Sequence, residues 1–323
     1  MKEFVKPVVI ASKCLSFDYC RYNGLIINDD FVEKLKAYVE FKPVCAEVEI
    51  GLGVPRDPVR VVNVKDGIRL IQPSTGRDLT ETMQNFADSF LDAVGKVDGF
   101  ILKSRSPSCG IKDVKIYSGA KNDSMILEKN GGFFGKAVMG KFPYLAIEDE
   151  GRLTNFRIRE HFLTKLYTFA NFRNVKLSNS MKELARFQSE NKLLLMAYNQ
   201  KKMRELGKTA ANLDKKPFND IITNYEQHLF KAFNQIPRYV SNINVLMHGL
   251  GYFSDNLSHE EKAFFLDSLE KHRVGKVPLS VPLHILRSLN VRFKDEYLNQ
   301  QTYFEPYPEA LVEITDSGKG REA

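Results

Sequence analysis

Four cysteines carry the strongest chemical signal in this chain: Cys14, Cys20, Cys45 and Cys109. Three of them follow a short apolar, β-branched run. Cys14 comes after Val5–Ala11, Cys45 after Lys42–Val44, and Cys109 lies in Ser104–Gly110, after Gly99–Lys103. In a doubly wound parallel sheet the carboxyl ends of the strands share one edge, and ligand sites form there. Residues distant in sequence then meet. Three thiolates at one edge suit zinc or an iron–sulfur cluster. The same spacing also fits three separate buried thiols, the commonest state of a free cysteine. Cys20 reads as structural, or as a fourth or a redox-responsive thiol.

The elements that must position these thiols alternate. Phe31–Tyr38 and Thr80–Val94 have helical periodicity, the second with Met83, Phe86, Phe90, Leu91 and Val94 on one face and Gly95 just past its end. Tyr144–Ile147 reads as a last strand. Strand and helix in alternation predict an α/β fold: a Rossmann-like parallel sheet with helices on both faces. Gly51-Leu-Gly53 is no dinucleotide fingerprint, since the third glycine is missing. From Phe156 onward the pattern is mostly α-helical. Ser180 to Glu183 reads as a capping box, and Leu184, Phe187, Leu194, Leu195 and Tyr198 recur on one face up to Gly207. Helical patterns return at Asn242–Gly249 and Glu260–His272, and a proline-rich, irregular part follows. The predicted division is residues 1–150, residues 151–316, and a disordered tail at 317–323.

Charge follows the same division. Residues 1–150 carry no net charge, residues 151–250 carry +10, and residues 251–323 carry −3. A concentrated basic segment predicts an anionic partner, nucleic acid first, and a merely solvated helical surface is the plain alternative. Lys201, Lys202, Arg204, Lys208, Lys215 and Lys216 are its centre, with Tyr198, Tyr225 and Tyr239 as candidate stacking surfaces. His248, in an apolar stretch, reads as a core histidine. No apolar run reaches the ~18–20 residues of a membrane span, and the N-terminus lacks the pattern of a signal peptide. The expected compartment is a reducing cytoplasm, where cysteines stay thiols or bind metal.

Three ordered motifs carry a family resemblance. They are VIASKCLSFDYCRYNG, ending at Gly24; Pro43-Val-Cys45-Ala-Glu47 with Gly51-Leu-Gly-Val-Pro-Arg56; and Leu102-Lys-Ser-Arg-Ser-Pro-Ser-Cys-Gly110. Residues 5–148 thereby resemble the thiouracil desulfidase family. Asn244–Phe253, Lys276–Pro282 and Gln300–Pro308 make the second half similar to YbgA-like domains. The pairing resembles the tRNA 4-thiouridine desulfidases.

That resemblance implies a [4Fe–4S] cluster on Cys14, Cys45 and Cys109, with one iron open to substrate. It implies removal of sulfur from 4-thiouridine in tRNA, giving uridine and sulfide. Glu47 would deprotonate the attacking water, Ser106 would orient it or stabilise the developing charge, Arg56 would bind a substrate phosphate or pair with Glu47 or Glu49, and Ser104 is a second candidate substrate contact. Ala46 stands where the family has proline, and Asn23 where it has aspartate. Two alternatives remain: a desulfidase of free thiolated bases, and a non-enzymatic iron–sulfur protein that binds RNA. The sequence does not fix an oligomeric state.

Overall fold

The computed structural model describes residues 3–121, 123–313 and 315–316. The expected tail at 317–323 lies outside them. In chain order the elements begin β1 (Val8–Ser12), α1 (Asp30–Leu35), β2 (Glu40–Val44), α2 (Ala46–Glu49), β3 (Arg60–Val64), β4 (Gly67–Gln72), β5 (Arg77–Asp78) and α3 (Thr80–Ala93). Then come β6 (Gly99–Leu102), β7 (Val114–Tyr117), β8 (Ile126–Asn130), α4 (Phe133–Lys141), β9 (Ala146–Asp149) and α5 (Phe156–Ser178). The rest is helical: α6 (Met181–Glu190), α7 (Lys192–Ala211), α8 (Phe218–Ala232), α9 (Tyr239–Gly251), α10 (His259–Arg273), α11 (Ser280–Phe293) and α12 (Glu296–Gln300).

β1, β2, β6 and β9 form a parallel sheet in the order β2-β1-β6-β9. All of β1 is buried, as expected of a strand covered on both faces. Ile10, Phe100 and Leu102 face one core with Met83 and Leu91 of α3 and Phe134 of α4. Val9 and Ile101 face the other with Val32 and Leu35 of α1 and Phe162 and Leu166 of α5. The doubly covered parallel sheet of the sequence analysis is present. The second sheet, order β5-β4-β3-β7-β8 and mixed in direction, was not expected. The Asp66-Gly67 pair between Val61-Val62 and Leu70 is the hairpin signal for β3 and β4.

The chain divides into two compact units, Met1–Ala170 with Tyr307–Ala323, and Asn171–Pro306. This moves the expected boundary from 150 to 170, inside α5. The reason is packing: Phe162, Leu163, Leu166 and Tyr167 are buried in the core under the sheet, and Tyr307 and Leu311 return to it. In the second unit, Gly207 lies inside α7, which runs on to a left-handed C-cap at Asn212. Ser180 caps α6 as expected, and α6 ends at Glu190. The proline-rich stretch is not irregular throughout. Pro282 falls in the first turn of α11, where its missing N–H breaks no helical bond. His248 is exposed on α9 rather than in the core. No helix among the described residues is long and apolar enough to cross a membrane.

Candidate active site

The thiols meet at the carboxyl edge of the parallel sheet. β2, β1 and β6 are neighbours there, so the segments leaving them start side by side. Two hydrogen bonds tie the exits together: Lys13 N to the Val44 carbonyl, and Lys103 N to Ser12 Oγ, both 2.8 Å. Cys14 lies two residues past β1, Cys45 caps the start of α2, and Cys109 sits in the loop after β6. Cys20 comes back among them. Cys45 Sγ donates to the Cys20 carbonyl at 3.8 Å, the Cys14 and Cys45 thiols both act on the acidity of Cys20, and the charge of Cys45 is felt at Cys109. All four are free thiols, Cys14 half-buried and the others buried.

The surroundings resist bare thiolates. The hydrogen bond from Cys14 pushes the Cys20 thiol up to about 11, helped by burial. The Cys20 neighbour and burial raise Cys45 as well. Burial pushes Cys109 up to about 12, against the hydroxyls of Ser12 and Ser106. Thiolates here therefore need a positive partner. Among the described residues no three Cys, His, Asp or Glu side chains converge on a point that would hold one metal ion. A zinc ion needs its ligands within ~2.3 Å of one point, whereas a cluster spreads its thiolates over several irons. In donor type, an all-thiol set on the segments leaving three adjacent strands is what an iron–sulfur cluster takes.

The loop carrying Cys109 is clasped by the start of α4. The first N–H groups of a helix lack partners within it. Here the Phe133 amide donates to the Pro107 carbonyl and the Gly135 amide to the Ser108 carbonyl, at 3.2 and 3.0 Å. Gly132 N donates to Gly110 O at 2.7 Å. This approach tolerates no side chain: a Cβ on Gly135 would sit 2.3 Å from Gly110 O and 2.7 Å from Cys109 O. Gly132 and Gly135 thus position a proposed ligand from a distance of more than twenty residues. The sequence signal was the Gly131-Gly-Phe-Phe-Gly135 pattern opening a helix.

Glu47 is buried beside the thiols, and its charge is felt at Cys109. Its Oε2 accepts from Arg56 Nε and lies 2.8 Å from Arg56 Nη2. Its Oε1 accepts from Ser108 Oγ at 2.9 Å. Arg56 is itself nearly inaccessible and also donates to the carbonyls of Cys20 and Gly53. Its hydrogen bonds are directed at Glu47 and the loops, so it positions the carboxylate rather than reaching outward. Ser106 Oγ accepts from the amides of Ser108 and Cys109, the turn-capping arrangement. Ser104 is bound to Glu150 through both its amide and its hydroxyl, with Lys103 completing the group. The serine that touches Glu47 is Ser108, which sequence reasoning passed over because only the fold folds it back onto residue 47.

The basic segment of the second unit is local. α7 breaks its helical path at Asn199, whose Oδ1 accepts from Lys202 N and restarts the helix. Lys201, Arg204 and Lys208 are exposed on the restarted portion, with no ion pair among the described residues. Lys202 differs: it is half-buried, 2.5 Å from Glu205 Oε2 and 3.3 Å from His228 Nδ1. Lys215 and Lys216 are exposed in the following loop, Lys216 paired with Asp214 at 3.3 Å. Tyr225 is no stacking surface. It is buried against Phe172 and donates to Gln188 Oε1 at 2.6 Å.

Residues 9–150 match the 2-thiouracil desulfurase family. The matched segment contains all four cysteines, Glu47, Arg56 and the clasped loop. A solved structure titled [4Fe-4S]-dependent thiouracil desulfidase TudS is 28% identical and covers 46% of this chain and 93% of its own, with a TM-score of 0.35. The uncharacterized protein YbbK of Bacillus subtilis (strain 168) is 29% identical over 140 residues, 41% of this chain and 83% of its own. Residues 192–308 match a second family, described as a protein of unknown function (DUF1722). The uncharacterized protein YbgA of Escherichia coli (strain K12) is 27% identical over 133 residues, 41% of this chain and 78% of its own. The description of the first family names a desulfurase. The second match brings no activity.

Proposed function

We propose that the chain is an iron–sulfur-dependent desulfidase that hydrolyses a thiocarbonyl, with 4-thiouridine in tRNA as substrate and uridine and sulfide as products. The observation that supports the reading is the placement of Cys14, Cys45 and Cys109 on the segments leaving three adjacent strands, with the buried carboxylate of Glu47 two residues past Cys45. Cys14, Cys45 and Cys109 would hold a [4Fe–4S] cluster, which would supply a soft Lewis acid toward sulfur. The chain's own residues handle the proton. Arg56 fixes Glu47 through Oε2, and Ser108 orients it through Oε1. Glu47 takes a proton from the attacking water at Oε1, the water oxygen bonds to the thiocarbonyl carbon, and the carbon–sulfur bond breaks. The Glu47 proton leaves with the sulfur as HS⁻, and the second water proton is released to solvent as the added oxygen becomes the carbonyl of uridine. Ser106 serves by holding the Cys109 turn. The exposed lysines and arginine of α7 would hold tRNA through its phosphates, which supplies affinity without sequence choice.

The family description favours a second reading, in which free thiouracil is the substrate. One experiment separates them. The protein is purified without oxygen, its iron is counted, and sulfide release is measured from 4-thiouridine-containing tRNA and from thiouracil. Sulfide from the tRNA supports the first reading. Sulfide from thiouracil alone supports the second, and an iron-loaded protein that releases sulfide from neither overturns both.

A further inference from the structure

Lys202, Glu205 and His228 close a triangle where α7 packs against α8. Lys202 Nζ lies 2.5 Å from Glu205 Oε2, and His228 Nδ1 lies 3.1 Å from the same oxygen. Lys202 Nζ and His228 Nδ1 are 3.3 Å apart. The three side chains are 22%, 30% and 26% exposed, so water and protons reach them. The charged groups around the triangle are set apart from it or paired. On α7, Lys201 acts on Glu205, and Lys208 stands exposed one turn beyond. On α8, Lys231 is exposed one turn beyond His228, and Glu226 pairs with Lys176 of α5 at 2.6 Å. On α6, Glu183, Arg186 and Glu190 pair among themselves.

One ring nitrogen cannot serve both neighbours. In the neutral ring with its proton on Nε2, Nδ1 accepts from the Lys202 ammonium, and Glu205 belongs to Lys202. Once Nδ1 also carries a proton it donates to Glu205, and a second cation stands 3.3 Å from the ammonium. One carboxylate oxygen then faces two cations that repel each other. Histidine is the side chain whose ordinary charge change falls between about pH 5 and 8, where lysine stays charged. Lys202 is the cation free to leave, since its long stem swings and its neighbours Lys201 and Arg204 already stand in water. We propose that protonation of His228 releases Lys202 from Glu205 into the exposed basic face of α7, so that this face grips an RNA phosphate backbone more tightly in acid. This regulation rests on the reading of that face as the tRNA-phosphate contact. By reciprocity, a bound phosphate favours the protonated ring.

The test is binding of the full chain to an unmodified tRNA transcript, which carries no thiolated base and so is independent of turnover. Affinity and its salt dependence are measured at about pH 8 and about pH 5.5, which bracket the ordinary histidine range. Wild type, His228→Gln, Lys202→Gln and Glu205→Gln are compared, and circular dichroism verifies each fold. Wild-type affinity should rise by roughly threefold to tenfold on acidification, the effect of one added phosphate contact. The slope of log Kd against log salt should steepen by roughly 0.7–0.9. His228→Gln and Lys202→Gln should both lose that increment while matching wild type at the higher pH. Glu205→Gln, with no carboxylate to hold Lys202, should bind at the higher pH as tightly as wild type does in acid. A full acid increment in His228→Gln overturns the proposal. So does an increment that survives in Lys202→Gln, because the histidine charge would then act without releasing the lysine. Equal wild-type binding at both pH values overturns the switch alone, whereas no tRNA binding at either overturns the tRNA reading and the switch with it.

Discussion

At the sheet edge of the first unit, Glu47, Arg56, Ser106 and Ser108 direct their side-chain hydrogen bonds at one another and at the cysteine loops. On α7 of the second unit, Lys201, Arg204 and Lys208 stand exposed with no ion pair among the described residues. The first region joins residues as distant in sequence as Glu47 and Ser108, and the second comes from eight consecutive residues of one helix. A reactive site needs pre-set geometry in a dry pocket, so it is assembled from many strands and its polar groups are saturated. A phosphate-binding face needs only charge in water, so it tolerates loose and local construction.

Substitutions should therefore act differently in the two regions. The largest effect belongs to the thiols. Cys14→Ser, Cys45→Ser and Cys109→Ser should each abolish the visible absorbance and the bound iron of the anaerobic protein, and Cys20→Ser should keep both. Iron retained in Cys109→Ser, or lost in Cys20→Ser, would break the ligand set. Next comes Glu47→Gln, which preserves shape but cannot accept a proton. Turnover should fall by about 100-fold with iron content intact. Wild-type turnover would remove Glu47 from the proposed reaction.

Gly135→Ala sharpens the comparison by pushing a methyl group against the carbonyls of Cys109 and Gly110. It should cost about 2–3 kcal/mol in urea unfolding and lower the iron content. Gly140→Ala, in the same helix with nothing within 4 Å, should instead stabilise by about 0.5–1 kcal/mol. Equal signs for the two glycines would refute the clasp. On α7, reversing Lys201, Arg204 and Lys208 to Glu should weaken tRNA binding about tenfold and flatten its salt dependence, while unfolding stability stays within about 0.5 kcal/mol. The smallest effect is expected of Lys202→Gln, because Glu205 already neutralises that lysine. A loss as large as that of the triple variant would mean the ion pair opens for the partner.

Much of this was readable from the chain. β1 declared itself because burial on both faces demands an unbroken apolar run, and α3 because its apolar residues recur every three or four positions. The second sheet escaped because β8 is wholly exposed and β5 has two residues, so neither shows a buried alternation. The unit boundary escaped for a related reason. α5 is a continuous helix of 23 residues, and nothing in its local pattern marks where sheet packing stops. Ser106 and Ser108 are chemically alike and two residues apart, and only the path of the loop decides which caps a turn and which meets Glu47.

The sequence by itself determined the chemical inventory: three cysteines behind apolar runs, a carboxylate two residues past one of them, and a basic stretch in mid-chain. These are properties of residue type and local period, which the chain carries before it folds. Tertiary structure decided the rest: that β2, β1 and β6 are adjacent, that Arg56 is turned inward to Glu47, and that α4 clasps the Cys109 loop. Those outcomes depend on which surfaces bury one another across tens of residues, and no local pattern encodes a partner at that range.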